Sequence, residues 1–314
     1  AFRAVLARGA YRADLCVGCD EPPSSRPSRK RSVDWLLEGT SIQTNKHLSR
    51  FANTPYLPYL LSEPAFSPML SRTSKSLKKE IIEAYVLIEA LEGVMELPTR
   101  TRPAATSAVV EEEDDEVVAV KRPTPSAVVD LCSGKGFLSI LLALECPSLT
   151  ILAVDLNKSI KSEHFDLLPN LTFLRADIMK ESFVDVLRTA LDGHGTSCVA
   201  LGMHLCGLLS PRAIQLFEAI PCLTSLLLVP CCLDKRTDGP LKMQARLEGI
   251  SPYEAKVGQL QSLLLDSGGG GGGGGVEVTV TRPSAMRTTD GTEGGDGCKN
   301  AIIVGCKPQQ PTPQ

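Results

Sequence analysis

Hydrophobic and polar positions alternate most clearly between residues 127 and 229, where short β-branched runs are separated by helical stretches. This pattern predicts five strands, at residues 127–131, 150–155, 172–176, 198–204 and 225–229. Because strands alternate with helical stretches, we expect right-handed crossovers that connect parallel strands. A helix is predicted over residues 137–145, and a further helix is expected to start at the cap pair Ser210 and Pro211.

The alternation stops at the C-terminal end, where strands at residues 276–281 and 301–304 are joined by glycine-rich polar sequence. These two strands are predicted to close the sheet as an antiparallel hairpin. We therefore expect an α/β fold with a doubly wound, mostly parallel, seven-stranded sheet. Eight glycines at residues 268–275 precede the hairpin and predict a flexible surface loop, because glycine has large backbone freedom.

The N-terminal third has a different pattern. Residues 1–74 are rich in proline and serine and show no sustained period, so we expect a poorly ordered or loop-rich region with short helical pieces. Residues 75–98 place apolar side chains at helical spacing and predict one amphipathic helix. Its solvent face is expected to carry Lys79, Glu83, Glu89 and Glu92.

The remaining boundaries follow from charge and breaker residues. Residues 99–119 contain six consecutive acidic residues, which repel one another and favour a solvated linker over a surface that binds a basic partner. We expect the catalytic or binding domain over residues 120–307. Residues 308–314 are expected to form a disordered tail.

A turn of small residues joins the first predicted strand to the helix at residues 137–145. The turn reads DLCSGKG over residues 130–136, and small side chains let backbone amides approach a ligand closely. Asp155 ends the next strand, where a carboxylate can face ribose hydroxyls. These features favour a nucleoside cofactor over an ordinary tight loop. Ser139 stands where a nicotinamide fingerprint needs a third glycine, which disfavours an oxidoreductase.

The turn resembles the first motif of the seven-strand S-adenosylmethionine-dependent methyltransferases, with Cys132 in place of the first motif glycine. The resemblance implies an enzyme that uses S-adenosylmethionine, with Asp130 near the methionine end, Asp155 on the ribose, and Asp177 with Ile178 beside the adenine. The cofactor-binding residues that it implies are Asp130, Ser133, Gly134, Gly136, Asp155, Asp177 and Ile178.

Three further segments are similar to one group within that superfamily. They are SGKGFLS at residues 133–139, MHLCG at residues 203–207 and PCC at residues 230–232. The group contains eukaryotic tRNA 2'-O-methyltransferases and several methyltransferase-like proteins, and the resemblance extends over about residues 75–307. It implies an RNA acceptor, with tRNA as the first choice.

A second set of polar residues follows the fourth and fifth strands, whose carboxyl ends meet at the ligand-binding edge of a doubly wound sheet. His204 is the candidate general base, since a neutral imidazole can accept a proton, and holding the loop by hydrogen bonds is its alternative role. The residues expected to line the substrate site are Cys206, Pro230, Cys231 and Cys232.

The same cysteines allow other interpretations: a tetrahedral metal site, a nucleophilic thiol, or packing of buried cysteines. No metal is expected, because the H-x-C and C-C spacings differ from the usual C-x2-4-C spacing and adjacent cysteines point to opposite sides of an extended chain. Cys16 and Cys19 have C-x-x-C spacing without a second pair nearby, so they are not expected to bind metal either.

Composition narrows the function classes. The net charge of −3 gives no general attraction to nucleic acid, so any RNA contact needs a local patch. No apolar run approaches the roughly 20 residues that cross a bilayer, and no membrane partner is expected. Most of the eleven cysteines lie in apolar runs, which favours a reducing compartment and a cytoplasmic location, with the nucleus and organelles left open.

The function expected from these patterns is methyl transfer from S-adenosylmethionine to an acceptor, with RNA as the leading acceptor class. A methyltransferase acting on protein is one alternative. The other is a non-catalytic nucleoside-binding or scaffold module, which Cys132 and the absence of an Asn-Pro-Pro-Tyr-type loop after the fourth strand keep open.

Overall fold

The computed structural model describes residues 45–70, 74–98, 122–230, 239–267, 275–286 and 301–308. Several predictions concern residues outside these ranges: the acidic run at residues 111–116, Cys16 and Cys19, Cys231 and Cys232, and the glycines at residues 268–274.

The described strands form one seven-stranded sheet. They are β1 (Ala127–Leu131), β2 (Thr150–Asp155), β3 (Leu171–Arg175), β4 (Cys198–Met203), β5 (Leu223–Val229), β6 (Glu277–Thr281) and β7 (Ile302–Cys306). Their order is β3-β2-β1-β4-β5-β7-β6, with β7 antiparallel to both of its neighbours and β1 to β5 parallel. The predicted fold class, a mostly parallel sheet closed by an antiparallel hairpin, is confirmed.

The central strands are buried on both faces. Every residue of β1 is buried, and its side chains divide by alternation, with Val128 in one core cluster and Ala127, Val129 and Leu131 in the other. Helices cover both faces, which is the arrangement that parallel sheets require. The strand β4 ends at Met203, one residue earlier than predicted, because His204 has a left-handed backbone with φ of 62° that cannot continue an extended strand.

Nine α-helices are found among the described residues. They are α1 (Lys46–Ala52), α2 (Leu57–Ser62), α3 (Ser67–Leu70), α4 (Ser74–Val94), α5 (Phe137–Glu145), α6 (Phe183–Ala190), α7 (Leu209–Ala219), α8 (Gly239–Glu248) and α9 (Pro252–Asp266), and short 3-10 turns cover Pro64–Phe66 and Ser284–Met286. In the part of the chain that the structure describes, no helix combines the length and apolar character needed to cross a membrane.

Two predicted helix boundaries need correction. The helix α4 ends at Val94 and not near Pro98, because the backbone around Met95 pairs with Arg122 as an isolated bridge. Ser210 does not cap α7, since the helix begins at Leu209 and the Ser210 hydroxyl donates to the Leu205 carbonyl at 2.8 Å.

Residues 45–70 contain short helices of the kind expected within residues 1–74. They form α1 to α3, and Phe51, Leu60 and Phe66 are fully buried. These helices have four to seven residues, so each is too short to show a helical period in the sequence. Their apolar side chains share one core cluster with α4, α5 and one face of the sheet.

The face of α4 that was expected to meet solvent is only partly exposed. Glu89 and Glu92 pair with Lys46 at 2.8 Å and Arg50 at 3.1 Å, both of which lie on α1. Glu83 is buried, with 6% of its surface exposed. Of these three acidic residues, Glu83 is therefore the buried one, while Glu89 and Glu92 stay partly exposed and pair with α1.

A buried carboxylate connects these N-terminal helices to the sheet. Glu145, at the end of α5, is fully buried and accepts hydrogen bonds from the Tyr56 hydroxyl at 2.8 Å and the Tyr85 hydroxyl at 3.2 Å. The Arg50 guanidinium donates to the same carboxylate at 3.0 Å. A carboxylate loses its hydration when it is buried, and here a cation and two hydroxyl donors replace the lost water contacts. The contact fixes α1, α2 and α4 relative to α5.

Candidate cofactor and acceptor site

In the turn between β1 and α5, every second residue has a left-handed backbone conformation. Cys132, Gly134 and Gly136 have φ values of 59°, 58° and 75°. This explains why the resembling motif has glycine at all three positions, since glycine enters the left-handed region without steric strain. Cys132 is a non-glycine residue in that conformation, which costs about 1–2 kcal/mol.

Gly134 lies on the open side of the turn. A Cβ atom built on Gly134 would meet no atom within 4 Å. The amide of Gly134 donates to Asp155 Oδ2 at 2.8 Å, so the turn and the end of β2 are directly connected. The buried hydroxyl of Ser133 has no hydrogen-bond partner. The turn therefore offers both open space and an unsatisfied polar atom.

Gly136, which is expected to line the cofactor, is buried, and its side-chain position is directed at the ring of Phe165. A Cβ atom at Gly136 would lie 2.2 Å from Cε1 of Phe165, whose ring stacks on Phe173 at 4.5 Å. The neighbouring His164 contacts the Lys135 carbonyl through Nε2 at 2.9 Å. Phe165 and His164 support the turn from the segment between β2 and β3, and no sequence motif marks them. Gly136 is required for packing against an aromatic ring.

Asp130 lies beneath the turn, with 2% of its surface exposed. Burial raises its pKa to about 7, and the nearby charge of Asp155 raises it further, while a 2.6 Å hydrogen bond from Ser139 Oγ acts in the opposite direction. A cationic group of a ligand would favour the ionised form of this carboxyl. Its position therefore allows an electrostatic role near the methionine end, as expected, from a buried site.

Asp155 is held by the backbone. Its two carboxylate oxygens accept hydrogen bonds from the Gly134 amide and, at 2.7 Å, from the Asn157 amide. A carboxylate has about four acceptor sites, so it retains capacity for ribose hydroxyls. Arg175 fixes the loop that follows β2 by donating to the carbonyls of Asn157 and Ile160.

The residues of the expected adenine border differ in their exposure. Asp177 is half-buried and its Oδ1 accepts from the Met179 amide at 3.0 Å. Ile178 is 2% exposed and belongs to the core. The Nε of Arg212 donates to the Ile178 carbonyl at 2.8 Å, which connects this loop to α7. Met179 is the exposed apolar side chain of this loop, at 44%.

Electrostatics around Cys132 show that the site residues converge. Burial raises the pKa of the Cys132 thiol to about 12, and the charges of Asp155, Asp130, Asp177 and Cys206 raise it further, in that order. Residues from the ends of four elements therefore lie close to one thiol. The thiol stays protonated near neutral pH and is a poor nucleophile.

His204 stands immediately after β4 in a fixed conformation. Its amide donates to the Val229 carbonyl at 3.0 Å, and the Cys206 thiol donates to the His204 carbonyl at 3.3 Å. The imidazole Nε2 lies 3.0 Å from Glu83 Oε2, and the His204 side chain is 38% exposed. Pro230 is buried, and its carbonyl accepts from the Tyr253 hydroxyl at 3.1 Å.

Glu83 is the site residue that sequence reasoning missed. The sequence did carry a signal, because Glu83 lies four and eight residues before Leu87 and Leu91, which are both fully buried. Residues at that spacing share one face of a helix. An acid on an apolar stripe indicates a buried carboxylate with a partner, and here the partner includes His204.

The described residues contain no group of three or more His, Cys, Asp or Glu side chains that could hold a metal ion. Because Cys231 and Cys232 lie outside the described residues, their predicted place in the substrate site stays a prediction.

Comparison with known proteins finds a family match over the part of the chain that holds the cofactor turn and His204. Residues 105–237 match a family described as a methyltransferase domain. The matched stretch contains the whole turn at residues 130–136 and His204. The mostly parallel sheet with its antiparallel C-terminal hairpin is the Rossmann-like methyltransferase fold, and the family match supports S-adenosylmethionine as the methyl donor. No curated protein matches the sequence.

Several solved methyltransferase structures resemble the fold at low identity. Precorrin-6y C5,15-methyltransferase from Geobacter metallireducens GS-15 is 18% identical with a TM-score of 0.32, over 58% of this chain and 80% of that one. A putative methyltransferase in complex with the Haloferax volcanii Trm112 activator is 14% identical with a TM-score of 0.36, over 58% and 83%. The methyltransferase SibL is 13% identical with a TM-score of 0.39, over 83% and 62%. Similarities this distant say nothing about the acceptor of this chain.

The residues on the turn fit a nucleoside methyl donor. The open space at Gly134, the unpaired Ser133 hydroxyl and the remaining acceptor capacity of Asp155 lie side by side. A ribose offers the hydroxyl donors that such a carboxylate can bind, and Asp130 lies beneath the same turn. These features are compatible with S-adenosylmethionine.

Proposed function

We propose that this chain transfers a methyl group from S-adenosylmethionine to a hydroxyl or amine of RNA, with tRNA as the first acceptor class to test. The observation that carries the proposal is the position of His204. It follows β4 directly, and β4 pairs in parallel with β1, whose carboxyl end begins the cofactor turn. A candidate base thus stands beside the candidate donor pocket. The similarity of the SGKGFLS, MHLCG and PCC segments to the group that contains tRNA 2'-O-methyltransferases supports the RNA acceptor.

The donor side of the site uses residues from three strand ends. Asp155 would bind the ribose hydroxyls, while Ser133 and Gly134 would contact the donor through the open face of the turn. Asp130, beneath the turn, would stabilise the positively charged methionine end of the bound donor. Asp177 and Met179 would border the adenine, with Ile178 supporting them from the core.

On the acceptor side, His204 would receive the proton that the acceptor oxygen or nitrogen loses. The bound donor supplies an electrophilic methyl group on a positively charged sulfur. Methyl transfer is an in-line displacement, so holding the acceptor atom in line provides much of the acceleration, and a base adds about 10²–10⁴-fold. Cys206 and Pro230 would line the acceptor side of this pocket.

The experiment uses S-adenosylmethionine with a radioactive methyl group. The protein is incubated separately with total RNA and with total protein extract, and incorporated label is counted in each fraction. We expect label in RNA that is lost with Asp155→Ala and strongly reduced with His204→Ala. Label in the protein fraction alone would replace the RNA acceptor with a protein acceptor. Label in neither fraction, despite measurable donor binding, would contradict both.

A further inference from the structure

The contact between His204 and Glu83 joins two parts of the chain that are 121 residues apart. Glu83 lies on α4, outside the strand ends that form the rest of the site. Its side chain is 8% exposed and reaches Nε2 of His204 at 3.0 Å. Lys79, one helical turn earlier, contributes a cation 3.7 Å from the other Glu83 oxygen. The carboxylate therefore lies at the junction of α4 with the end of β4.

An ionised carboxylate only accepts hydrogen bonds, so this contact requires a proton on Nε2 of His204. The neutral imidazole must then carry its lone pair on Nδ1. Among the described residues, none is hydrogen-bonded to Nδ1 of His204. The contact thus selects one tautomer and leaves one basic nitrogen for a substrate.

We propose that Glu83 is a positioning residue for methyl transfer, fixing His204 as the Nε2-protonated tautomer so that Nδ1 takes the proton of the acceptor. This inference rests on the proposed function of His204 as the base. As the acceptor atom forms its bond to the methyl carbon, the bond from sulfur to methyl breaks and the donor becomes a neutral thioether. The acceptor proton moves to Nδ1, and Glu83 stabilises the resulting imidazolium before the proton passes to solvent.

The surrounding packing gives Glu83 the rigidity that this role needs. Two residues further along α4, Tyr85 donates to the buried carboxylate of Glu145, at the end of the helix that follows the cofactor turn. Glu92 on the same helix contacts Arg50, which also donates to Glu145. The helix α4 is therefore fixed to α5 by a buried polar network. The N-terminal helices complete the acceptor side of the site by this route.

The test is a double-mutant cycle on turnover. Glu83→Ala, His204→Ala and the double variant are compared in single-turnover transfer of labelled methyl to total RNA at saturating donor. We expect each single variant to lower the rate by about 10²-fold or more, with an unchanged KM for RNA and an unchanged donor Kd. If Glu83 acts through His204, the double variant will be no slower than His204→Ala.

Conservative variants separate positioning from structure. Glu83→Asp shortens the side chain by one methylene and keeps the charge, so it is expected to recover part of the rate that Glu83→Gln loses. Glu89→Gln is the matched control, because it removes a carboxylate from the same helix that pairs with Lys46 rather than with His204. The control is expected to leave the transfer rate within about twofold, since exposed pairs contribute little.

A second readout needs no acceptor. Nitrogen NMR of the imidazole groups at pH 8 reports which nitrogen carries the proton, and His204 is assigned among the four histidines by its loss in His204→Ala. We expect a protonated Nε2 and an unprotonated Nδ1 in the unaltered protein, and a mixture of tautomers in Glu83→Ala.

The possible failures are distinguishable. A His204→Ala variant with normal turnover would contradict the proposed base and the role of Glu83 together. Additive losses in the double variant, or an Nδ1-protonated imidazole, would overturn the role of Glu83 alone and leave methyl transfer intact. If total RNA accepts no label, the RNA acceptor fails, and the tautomer measurement still decides whether Glu83 positions His204.

Discussion

The donor and acceptor sides of the site are assembled in different ways. The donor side comes from one contiguous turn at residues 130–136 and from the ends of the next two strands in the chain, with Asp155 bound directly to the Gly134 amide. The acceptor side depends on the contact of His204 with Glu83, which lies on a helix well before the sheet begins. Local sequence can therefore specify the proposed donor side, whereas the proposed acceptor side requires α4 to pack against the end of β4.

The largest expected effect is on the methyl-transfer rate, which a substitution on the acceptor side should lower without changing donor binding. His204→Ala should lower the rate of methyl transfer by about 10²–10⁴-fold, because a general base contributes about that much, while donor affinity changes by less than about twofold. Rapid-quench measurements of label transfer, combined with calorimetry of donor binding, check both halves of this statement. A large loss of donor affinity would mean that the two sides are not independent.

The two glycines of the turn should respond differently, although the sequence treats them alike. Gly136→Ala is expected to destabilise the fold by about 2–4 kcal/mol, because its Cβ overlaps Phe165 and its φ is left-handed. Gly134→Ala should cost only about 1–2 kcal/mol, the strain of its backbone, since nothing lies within 4 Å. Urea unfolding of both variants measures the difference. Equal destabilisation would contradict the assignment of Gly136 to packing.

Donor affinity should depend on Asp155. Removal of this carboxylate by Asp155→Ala should weaken the binding of S-adenosylmethionine and of its demethylated product by about ten- to a hundredfold, corresponding to roughly 1.5–3 kcal/mol for charge-assisted hydrogen bonds. Calorimetry with both ligands checks the size. Asp155→Asn keeps an acceptor oxygen without the charge, so its donor affinity should lie between those of the unaltered protein and of Asp155→Ala. Unchanged donor affinity in Asp155→Ala would mean that the ribose binds elsewhere along the carboxyl edge of the sheet.

The sequence predicted what depends on short-range order. Strand alternation and the DLCSGKG turn indicated the fold, the methyl donor and a place for Asp155, because each depends on residues close together in the chain. The sequence did not predict that Gly136 packs on Phe165, that Ile178 is buried, or that Glu83 reaches His204. Each of these depends on side chains brought together by tertiary packing. Short helices were expected within residues 1–74, but the burial of α1 to α3 was not, because each is too short to show a period in the sequence.

The smallest expected effect comes from Asp130, whose ionisation makes the unfolding free energy depend on pH. Its pKa in the folded protein is raised to about 7 by burial, so the folded state binds this proton more tightly than the unfolded state. Stability from this group is therefore complete below the ordinary aspartate pKa of about 4 and is lost progressively as the pH rises to about 7.

Asp130→Asn removes that ionisation and retains an oxygen that can accept from Ser139. The unfolding free energy of Asp130→Asn, relative to the unaltered protein, should therefore rise by about 1 kcal/mol between pH 6 and pH 8, as the unaltered carboxyl is forced to ionise while buried. Urea unfolding at the two pH values measures it, with Asp166→Asn as a control for an exposed carboxyl. A difference that does not change with pH would show that Asp130 is already ionised at pH 6, with its charge stabilised in the free protein before any cationic donor binds.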